Sequence, residues 1–134
     1  MATVKLWTDE EVAADPVVAR VFADIRAARG SDFVNNFWRG LANQPALLEE
    51  TWERLKSVMT GDTALPPAFQ EMLYAAVSIA NSCVYCIHSH TAAARAKGMT
   101  DEQYAEMLAI VGLAAQTNHL VTAMQLPVDE AFLV

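Results

Sequence analysis

The sequence predicts an all-α protein, and three observations lead to that prediction. Apolar residues recur at spacings of three and four along most of the 134-residue chain, and we find no convincing strand-like alternation of apolar and polar residues. Proline or a capping residue stands where each apolar segment begins. The length suits one compact unit, so we expect residues 1–134 to form a single domain with residues 1–14 as an N-terminal segment.

The first half of the chain contains three predicted helices. The first begins at Asp15-Pro16, an N-cap followed by proline at the first helical position, and Gly30 ends it. The second begins near Ser31 or Asp32, and the third begins at Gln44-Pro45. The apolar stripes that define these helices are Val18, Val21, Phe22 and Ile25 in the first, Phe33, Phe37 and Leu41 in the second, and Leu48, Trp52, Leu55 and Met59 in the third.

The loop GDTALPP separates these helices from two that form the centre of the second half. Pro66-Pro67 begins the fourth helix, which runs to about Ala80. Ser82 is expected to cap the fifth helix, which extends from Cys83 to Lys97 and ends at Gly98.

The sixth predicted helix is long and apolar around most of its circumference. Thr100 and Gln103 match a capping box at its start, and it runs to about Gln125. Between Met107 and Leu113 almost every side is apolar, which is typical of a helix buried in a core or packed between subunits. We therefore expect a homo-oligomer.

Composition and charge exclude some classes of partner. Hydrophobic residues make up 54% of the chain, charged residues only 19%, and the formal net charge is −7. An acidic chain with few cations is a poor ligand for phosphate, so we expect no nucleic acid and no anionic membrane surface as partner. The longest apolar run, MLAIVGLAA, is shorter than the roughly 18 residues of a spanning helix, and we expect a cytoplasmic protein.

The segment Asn81 to His90, NSCVYCIHSH, contains both cysteines of the chain and two of its three histidines. Four interpretations compete: a redox dithiol, a metal site, a disulfide that only stabilises the fold, and two inert buried cysteines. In a reducing compartment a C-x-x-C pair is more often catalytic or metal-binding than a permanent disulfide. A structural zinc ion usually takes four ligands, and C-x-x-C-x-x-x-H supplies three, so the redox dithiol is favoured.

Helical spacing brings the two thiols and one histidine together. Cys83 and Cys86 are three residues apart, and His90 follows Cys86 by four, so each pair shares a helix face. The helix dipole favours a thiolate at Cys83, the nearer to the helix start, whereas the histidine favours a thiolate at Cys86. His88 points to another side. The spacing leaves open which cysteine attacks.

Glu71 is the expected third member of this group. It is a charged residue on the largely apolar helix QEMLYAAVSIA, about ten residues before a turn at Asn81-Ser82. His90 lies about eight residues after that turn. If the two helices form an antiparallel hairpin, a rise of about 1.5 Å per residue puts the two side chains nearly level. Glu71 would then orient His90 or accept a proton itself.

The pattern of Glu71, eleven residues, CVYCIHSH and Gly98 resembles the AhpD-like branch of the carboxymuconolactone decarboxylase family. The specific match covers residues 67–99, and DFVNNFWRGLANQPALLEETW is similar to short members of the same branch. The resemblance implies an all-helical fold of about six helices and assembly into trimers or hexamers. It also implies a thiol-dependent peroxidase that needs no cofactor and no metal.

The resemblance further implies roles for the four site residues. Cys86 would attack a hydroperoxide, Cys83 would resolve the sulfenic acid as a disulfide, and Glu71 with His90 would relay protons. A dithiol, thioredoxin-like or lipoyl partner would then reduce the disulfide. One departure from the family pattern is Tyr85, which stands where AhpD has a histidine.

Other interpretations apply to residues outside this group. Tyr85 either lines the entrance to the sulfurs or packs. The aromatic residues Phe33, Phe37 and Trp38 most often form core. The alternative is that Asn35, Asn36 and Trp38 help to wall a substrate pocket.

Two other functions compete with peroxide reduction. A lactone decarboxylase of the founding branch would act by proton transfer without the cysteine pair, so the C-x-x-C motif argues against it. A redox-sensing oligomer without enzymatic activity would use the disulfide to change its assembly.

Overall fold

The computed structural model describes residues 1–133, which form seven α-helices and a short 3-10 helix, with no strand among these residues. The helices are α1 (Asp9–Ala14), α2 (Pro16–Arg29), α3 (Asn36–Leu41), α4 (Pro45–Met59), α5 (Pro67–Ala80), α6 (Val84–Ala96) and α7 (Asp101–Met124), followed by the 3-10 turn Glu130–Phe132. The all-α prediction is confirmed, and its six helices correspond to α2 through α7.

The chain forms two compact units, Met1–Thr63 and a second unit that begins at Ala64. Helices α1 to α4 belong to the first unit, and α5 to α7 belong to the second. The boundary falls in the loop GDTALPP, which already separates the two halves in the sequence. A single domain over residues 1–134 stays a prediction.

Helix α1 was not predicted, because residues 1–14 were expected to form an N-terminal segment ahead of the first helix. The Thr8 side chain accepts a hydrogen bond from the Glu11 amide, and the Glu11 carboxylate accepts one from the Thr8 amide. This reciprocal capping box satisfies two amides that would otherwise lack partners. Val12 is buried, so one face of α1 joins the core.

The first unit has a continuous apolar core. Asp15 caps α2 by accepting hydrogen bonds from the Val17 and Val18 amides, as predicted. Helix α3 begins at Asn36, later than the predicted start, because Asn35 is still extended at φ −74° and ψ 166°. The buried core residues are Val12, Val18, Val21, Phe22, Ile25, Val34, Trp38, Ala42, Leu48 and Trp52.

The turn between α5 and α6 differs from the prediction in one residue. Ser82 does not cap α6; it lies in the left-handed region at φ 56° and ends α5. The Ser82 amide donates to the Ile79 carbonyl (3.1 Å) and the Cys83 amide donates to the Ser78 carbonyl (2.9 Å). These two bonds make a Schellman motif, so α6 begins one residue later, with Cys83 as its N-cap.

The second unit is built on the hairpin of α5 and α6, and α7 packs against α5. Met107 is the buried residue of α7, and most of the other α7 side chains are exposed in the described chain. Helix α7 has a mean hydropathy of 1.3 over its most apolar part, and among residues 1–133 it is the helix long and apolar enough to cross a membrane by length and composition. The longest apolar run of the sequence, MLAIVGLAA, was too short to predict a helix that could span a membrane. One such helix is weak support for a membrane span.

Candidate active site

The two cysteines lie at the start of α6 and are joined by a disulfide, with their Cα atoms 5.3 Å apart. Cys83 is the N-cap residue, and its sulfur accepts a hydrogen bond from the Cys86 amide (3.3 Å). Both residues are partly exposed. The first turn of a helix has amides without intrahelical partners and a partial positive charge, and both favour a thiolate once the disulfide is reduced.

Glu71 and His90 contact each other directly across the hairpin. Oε2 of Glu71 lies 2.7 Å from Nδ1 of His90, and Glu71 is only 6% exposed. The sequence predicted that an antiparallel pair of helices would bring these side chains level. The three-residue connection from Asn81 to Cys83 produces that register.

The partners of Glu71 determine which imidazole nitrogen carries a proton. Burial by itself would raise the pKa of Glu71, but the hydrogen bonds from His90 and Lys97, with the Lys97 charge, hold it below the ordinary value of 4.5. Glu71 is therefore a carboxylate at neutral pH and accepts hydrogen bonds. Nδ1 of His90 must then carry the proton and donate it, which leaves Nε2 able to accept one.

Lys97 is a second partner of Glu71 that the sequence analysis did not single out. Its Nζ donates to Oε1 of Glu71 at 2.5 Å, so each carboxylate oxygen has its own partner. Lys97 follows His90 by seven residues, which is about two helical turns. That spacing would have placed it on the same face of α6 as His90.

Tyr74 is the other residue that the sequence analysis missed. Its ring stacks on the His90 imidazole with centroids 3.6 Å apart and planes 18° apart. Tyr74 follows Glu71 by three residues on α5, so the two share a helix face. The imidazole is thus held by a hydrogen bond at Nδ1 and by a ring on one face.

The residues predicted as pocket walls occupy different surroundings. Tyr85 is exposed and directly precedes Cys86. Trp38 is 1% exposed and packs edge-to-face against Trp52 in the core of the first unit, with ring centroids 5.5 Å apart. This placement agrees with the core interpretation of Trp38. The same interpretation is wrong for Phe33 and Phe37, which are 71% and 44% exposed. Asn35 is the N-cap of α3 and Asn36 its first residue, and a pocket role for these two stays a prediction.

The other histidine of the motif, His88, is exposed on α6. The described residues contain no group of three or more His, Cys, Asp or Glu side chains arranged to hold a metal ion. The candidate active site on the hairpin therefore consists of Cys83, Cys86, His90 and Glu71. Lys97 contacts Glu71, and Tyr74 stacks on His90.

Comparisons with known proteins agree with this arrangement of helices. The model of the carboxymuconolactone decarboxylase family matches residues 45–129. The chain is similar to the crystal structure of the alkylhydroperoxidase AhpD core from Rhodospirillum rubrum ATCC 11170, with 71% sequence identity and a TM-score of 0.98. That match covers 100% of this chain and 98% of the other. A search of curated proteins found no match. The chain belongs to the carboxymuconolactone decarboxylase family, in its AhpD-like branch.

Proposed function

We propose that this protein is a thiol-dependent peroxidase that reduces hydroperoxides with Cys83 and Cys86. The observation that supports this most directly is the cysteine pair at the start of α6, already close enough for a disulfide, on the same hairpin as the Glu71–His90 pair. The 71% identity to a protein described as an alkylhydroperoxidase core supports the same activity.

The proposed cycle begins with the reduced dithiol. The Cys86 thiolate attacks the terminal peroxide oxygen, the O–O bond breaks, and the alkoxide takes a proton and leaves as an alcohol. Cys86 is then a sulfenic acid. The Cys83 sulfur attacks the Cys86 sulfur, the S–O bond breaks, and water leaves as the disulfide forms. The protein dithiol has lost two electrons and the peroxide has gained them.

His90 is the proposed proton acceptor for the Cys86 thiol and donor to the leaving alkoxide. It follows Cys86 by four residues, so both side chains share a face of α6. Its Nε2 is the nitrogen that does not contact Glu71. Glu71 stabilises the imidazolium that forms after proton transfer, because a carboxylate beside a cation lowers the free energy of the charged form.

An external dithiol completes the cycle by thiol–disulfide exchange. Its first thiolate attacks the protein disulfide, and its second releases the reduced protein. A small dithiol, a lipoyl group or a thioredoxin-like protein has this chemistry. Our proposal places the protein in the cytoplasm, where such reductants are maintained.

Peroxidase turnover tests the proposal directly. Reduced protein is mixed with cumene hydroperoxide, and consumption of dithiothreitol or dihydrolipoamide is followed. We expect turnover by the wild type and a loss of at least about a hundredfold in Cys86→Ser, because the variant lacks the nucleophile. Equal rates for the wild type and Cys86→Ser with both reductants would refute the proposed function.

Trapping the sulfenic acid distinguishes the two cysteines. In the Cys83→Ser variant the sulfenic acid cannot be resolved within the chain, so dimedone should add to Cys86 after peroxide treatment. The same treatment of Cys86→Ser should leave Cys83 largely unlabelled. If dimedone labels Cys83 instead, Cys83 is the attacking cysteine and Cys86 the resolving one. A lactone decarboxylase would keep its activity after both cysteines are replaced by serine.

A homo-oligomer, a trimer or a hexamer, is part of the proposed function. Helix α7 presents a row of exposed apolar side chains over its length: Leu108, Ile110, Leu113, Leu120, Val121 and Met124. Large contiguous apolar patches are rare on monomers and mark sites of association. The net negative charge of the chain keeps the rest of its surface soluble.

A further inference from the structure

The Glu71 carboxylate is bound on both of its oxygens, and the two partners differ in kind. Oε2 contacts the His90 imidazole, which carries a charge only when protonated, whereas Oε1 contacts the Lys97 ammonium. A buried carboxylate beside an imidazole is by itself an ambiguous pair, since the extra proton can reside on either group. The ammonium removes the ambiguity because it favours the ionised carboxylate.

Lys97 reaches this carboxylate from the surface. It is the C-cap residue of α6, and its side chain is 36% exposed, whereas the side chain of Glu71 is 8% exposed. The aliphatic stem of a lysine can cover apolar surface while the ammonium group makes a polar contact. The contact between Lys97 and Glu71 is therefore shielded from solvent on the Glu71 side, where salt screens the two charges least.

We propose that Lys97 is a positioning residue, which keeps Glu71 ionised so that the proton of the Cys86 thiol passes to His90 and not to Glu71. This inference rests on the proposed function and assigns a role to a residue outside the Cys–His–Glu group. It decides between the two roles that the sequence left open for Glu71. Glu71 orients the imidazole and stabilises its cation, and it does not serve as the base.

The ionisable groups around Glu71 come from each element of the hairpin. Helix α6 contributes His90 and Lys97, and α5 contributes Tyr74, which stacks on His90. On α7, which packs against α5, Asp101 pairs with Arg95, and the Arg95 guanidinium lies over the Tyr104 ring. Lys97 is thus the cation that contacts the Glu71 carboxylate. Arg95 lies near the same end of α6, but its partners are Asp101 and Tyr104.

A purely structural role for Lys97 makes a different prediction. A lysine at the end of a helix interacts favourably with the helix dipole and adds stability without affecting any proton transfer. Replacing such a lysine would lower the free energy of unfolding and leave the pH dependence of the thiol unchanged. The pH dependence therefore separates the two roles.

Alkylation of Cys86 measures this pH dependence without any peroxidase assay. In a Cys83→Ser background Cys86 is the sole thiol, because the chain has two cysteines. The rate of reaction with iodoacetamide is followed from pH 5 to 9. We expect Lys97→Met to move the midpoint of the profile to higher pH by about 0.5 unit or more. Without the ammonium, the shared proton can reside on Glu71, so less imidazolium forms on His90 to stabilise the Cys86 thiolate.

Three further variants control the alkylation experiment. Lys97→Arg keeps the charge and should restore the midpoint to within about 0.2 unit of the parent, and Arg95→Gln, which removes a charge elsewhere on α6, should stay equally close. Lys97→Gln keeps a donor without a charge and should resemble Lys97→Met; it also serves if Lys97→Met does not fold. A Lys97→Met or Lys97→Gln midpoint equal to that of Arg95→Gln would overturn the proposal.

The carboxyl ¹³C shift of Glu71 gives a second readout. Its titration midpoint should rise by about one pH unit or more in Lys97→Met, because an adjacent cation ordinarily shifts a carboxyl pKa by about 1–3 units. An unchanged midpoint would contradict the inference. The wild type could reduce no hydroperoxide while the midpoints of Cys86 alkylation and Glu71 titration both shift in Lys97→Met. In that case the proposed function fails, and the role of Lys97 in directing the proton to His90 stands.

Discussion

Glu71 links the chemistry of the site to the stability of the second unit. Its carboxylate is buried and contacts groups on two turns of α6, so it connects the two helices of the hairpin. The hydrogen bonds and the Lys97 charge hold its pKa below 4.5 against the opposing effect of burial. A group whose pKa is lower in the folded state contributes stability above its unfolded pKa and loses it as the pH falls.

The pH dependence of unfolding should therefore report on Glu71. We expect the contribution of Glu71 to be complete above about pH 5 and to be lost as the pH falls below 4.5 through the folded-state pKa. Urea titrations of the wild type and Glu71→Gln would measure it. Glu71→Gln should be less stable by about 1–3 kcal/mol at pH 7, with the difference shrinking at acid pH. A difference that is constant from pH 7 to pH 3 would contradict this assignment.

The backbone conformation of Ser82 reduces the stability of the fold. It lies at φ 56°, a region where a side chain with a Cβ atom is unfavourable by about 1–2 kcal/mol. Ser82→Gly should raise the free energy of unfolding by about 0.5–1 kcal/mol, since glycine adopts this conformation readily. Thermal or urea unfolding provides the measurement.

Gly30 provides the matched control for Ser82. It is also left-handed, at φ 61°, and a Cβ added there would meet no atom within 4 Å. Gly30→Ala should therefore lower stability by about 1 kcal/mol through backbone conformation alone. If both substitutions changed stability in the same direction, the backbone explanation for Ser82 would be wrong.

At the scale of helices, capping boxes define the start of both α1 and α7. Thr8 pairs with Glu11 and Thr100 pairs with Gln103 in the same reciprocal geometry. The box was recognised in the sequence at α7, where a long apolar segment follows, and missed at α1, where the helix has six residues. A short helix has too few apolar positions to show periodicity, so its cap is the more informative signal.

Removing the two caps should have different local consequences. Thr8→Ala and Thr100→Ala each remove a side-chain acceptor that is worth about 1 kcal/mol. In α1 this is a large share of the local stability, so Thr8→Ala should increase hydrogen exchange through residues 9–14. In the 24-residue helix α7, Thr100→Ala should increase exchange only in the first turn. Equal protection of α1 in the wild type and Thr8→Ala would show that packing alone holds it.

For the molecule as a whole, the exposed apolar side chains of α7 are the basis of the proposed homo-oligomer. Ile110 and Leu113 are 59% and 61% exposed in the described chain, and both lie in the apolar part of α7. Exposed residues on a monomer usually tolerate substitution within about 0.5 kcal/mol. A residue buried between subunits does not, because a charge there would lose its hydration.

Substitution of Ile110 tests the assembly. We expect Ile110→Glu to dissociate the oligomer into smaller species, as measured by sedimentation velocity or native mass spectrometry. Glu102→Lys changes an exposed residue in the first turn of the same helix and should leave the mass of the assembly unchanged. A wild type that sediments as a monomer at micromolar concentration would refute the assembly. A mass that differs between reduced and oxidised protein would favour the redox-sensing alternative.

Local sequence determined much of this protein. The helix class, most helix starts and the grouping of Cys83, Cys86 and His90 depend on spacing, caps and prolines that act within a few residues. The pairing of Glu71 with His90 was also predictable, because a short connection between two helices fixes their register.

The tertiary structure decided what depends on contacts between helices. The left-handed conformation of Ser82 made Cys83 the cap, and the approach of α6 to α5 gave Glu71 a second partner in Lys97 and placed the Tyr74 ring on His90. Lys97 and Tyr74 are ordinary helix residues in the sequence. Their roles arise because the hairpin brings them to a buried carboxylate and its imidazole, where low solvent exposure strengthens each interaction.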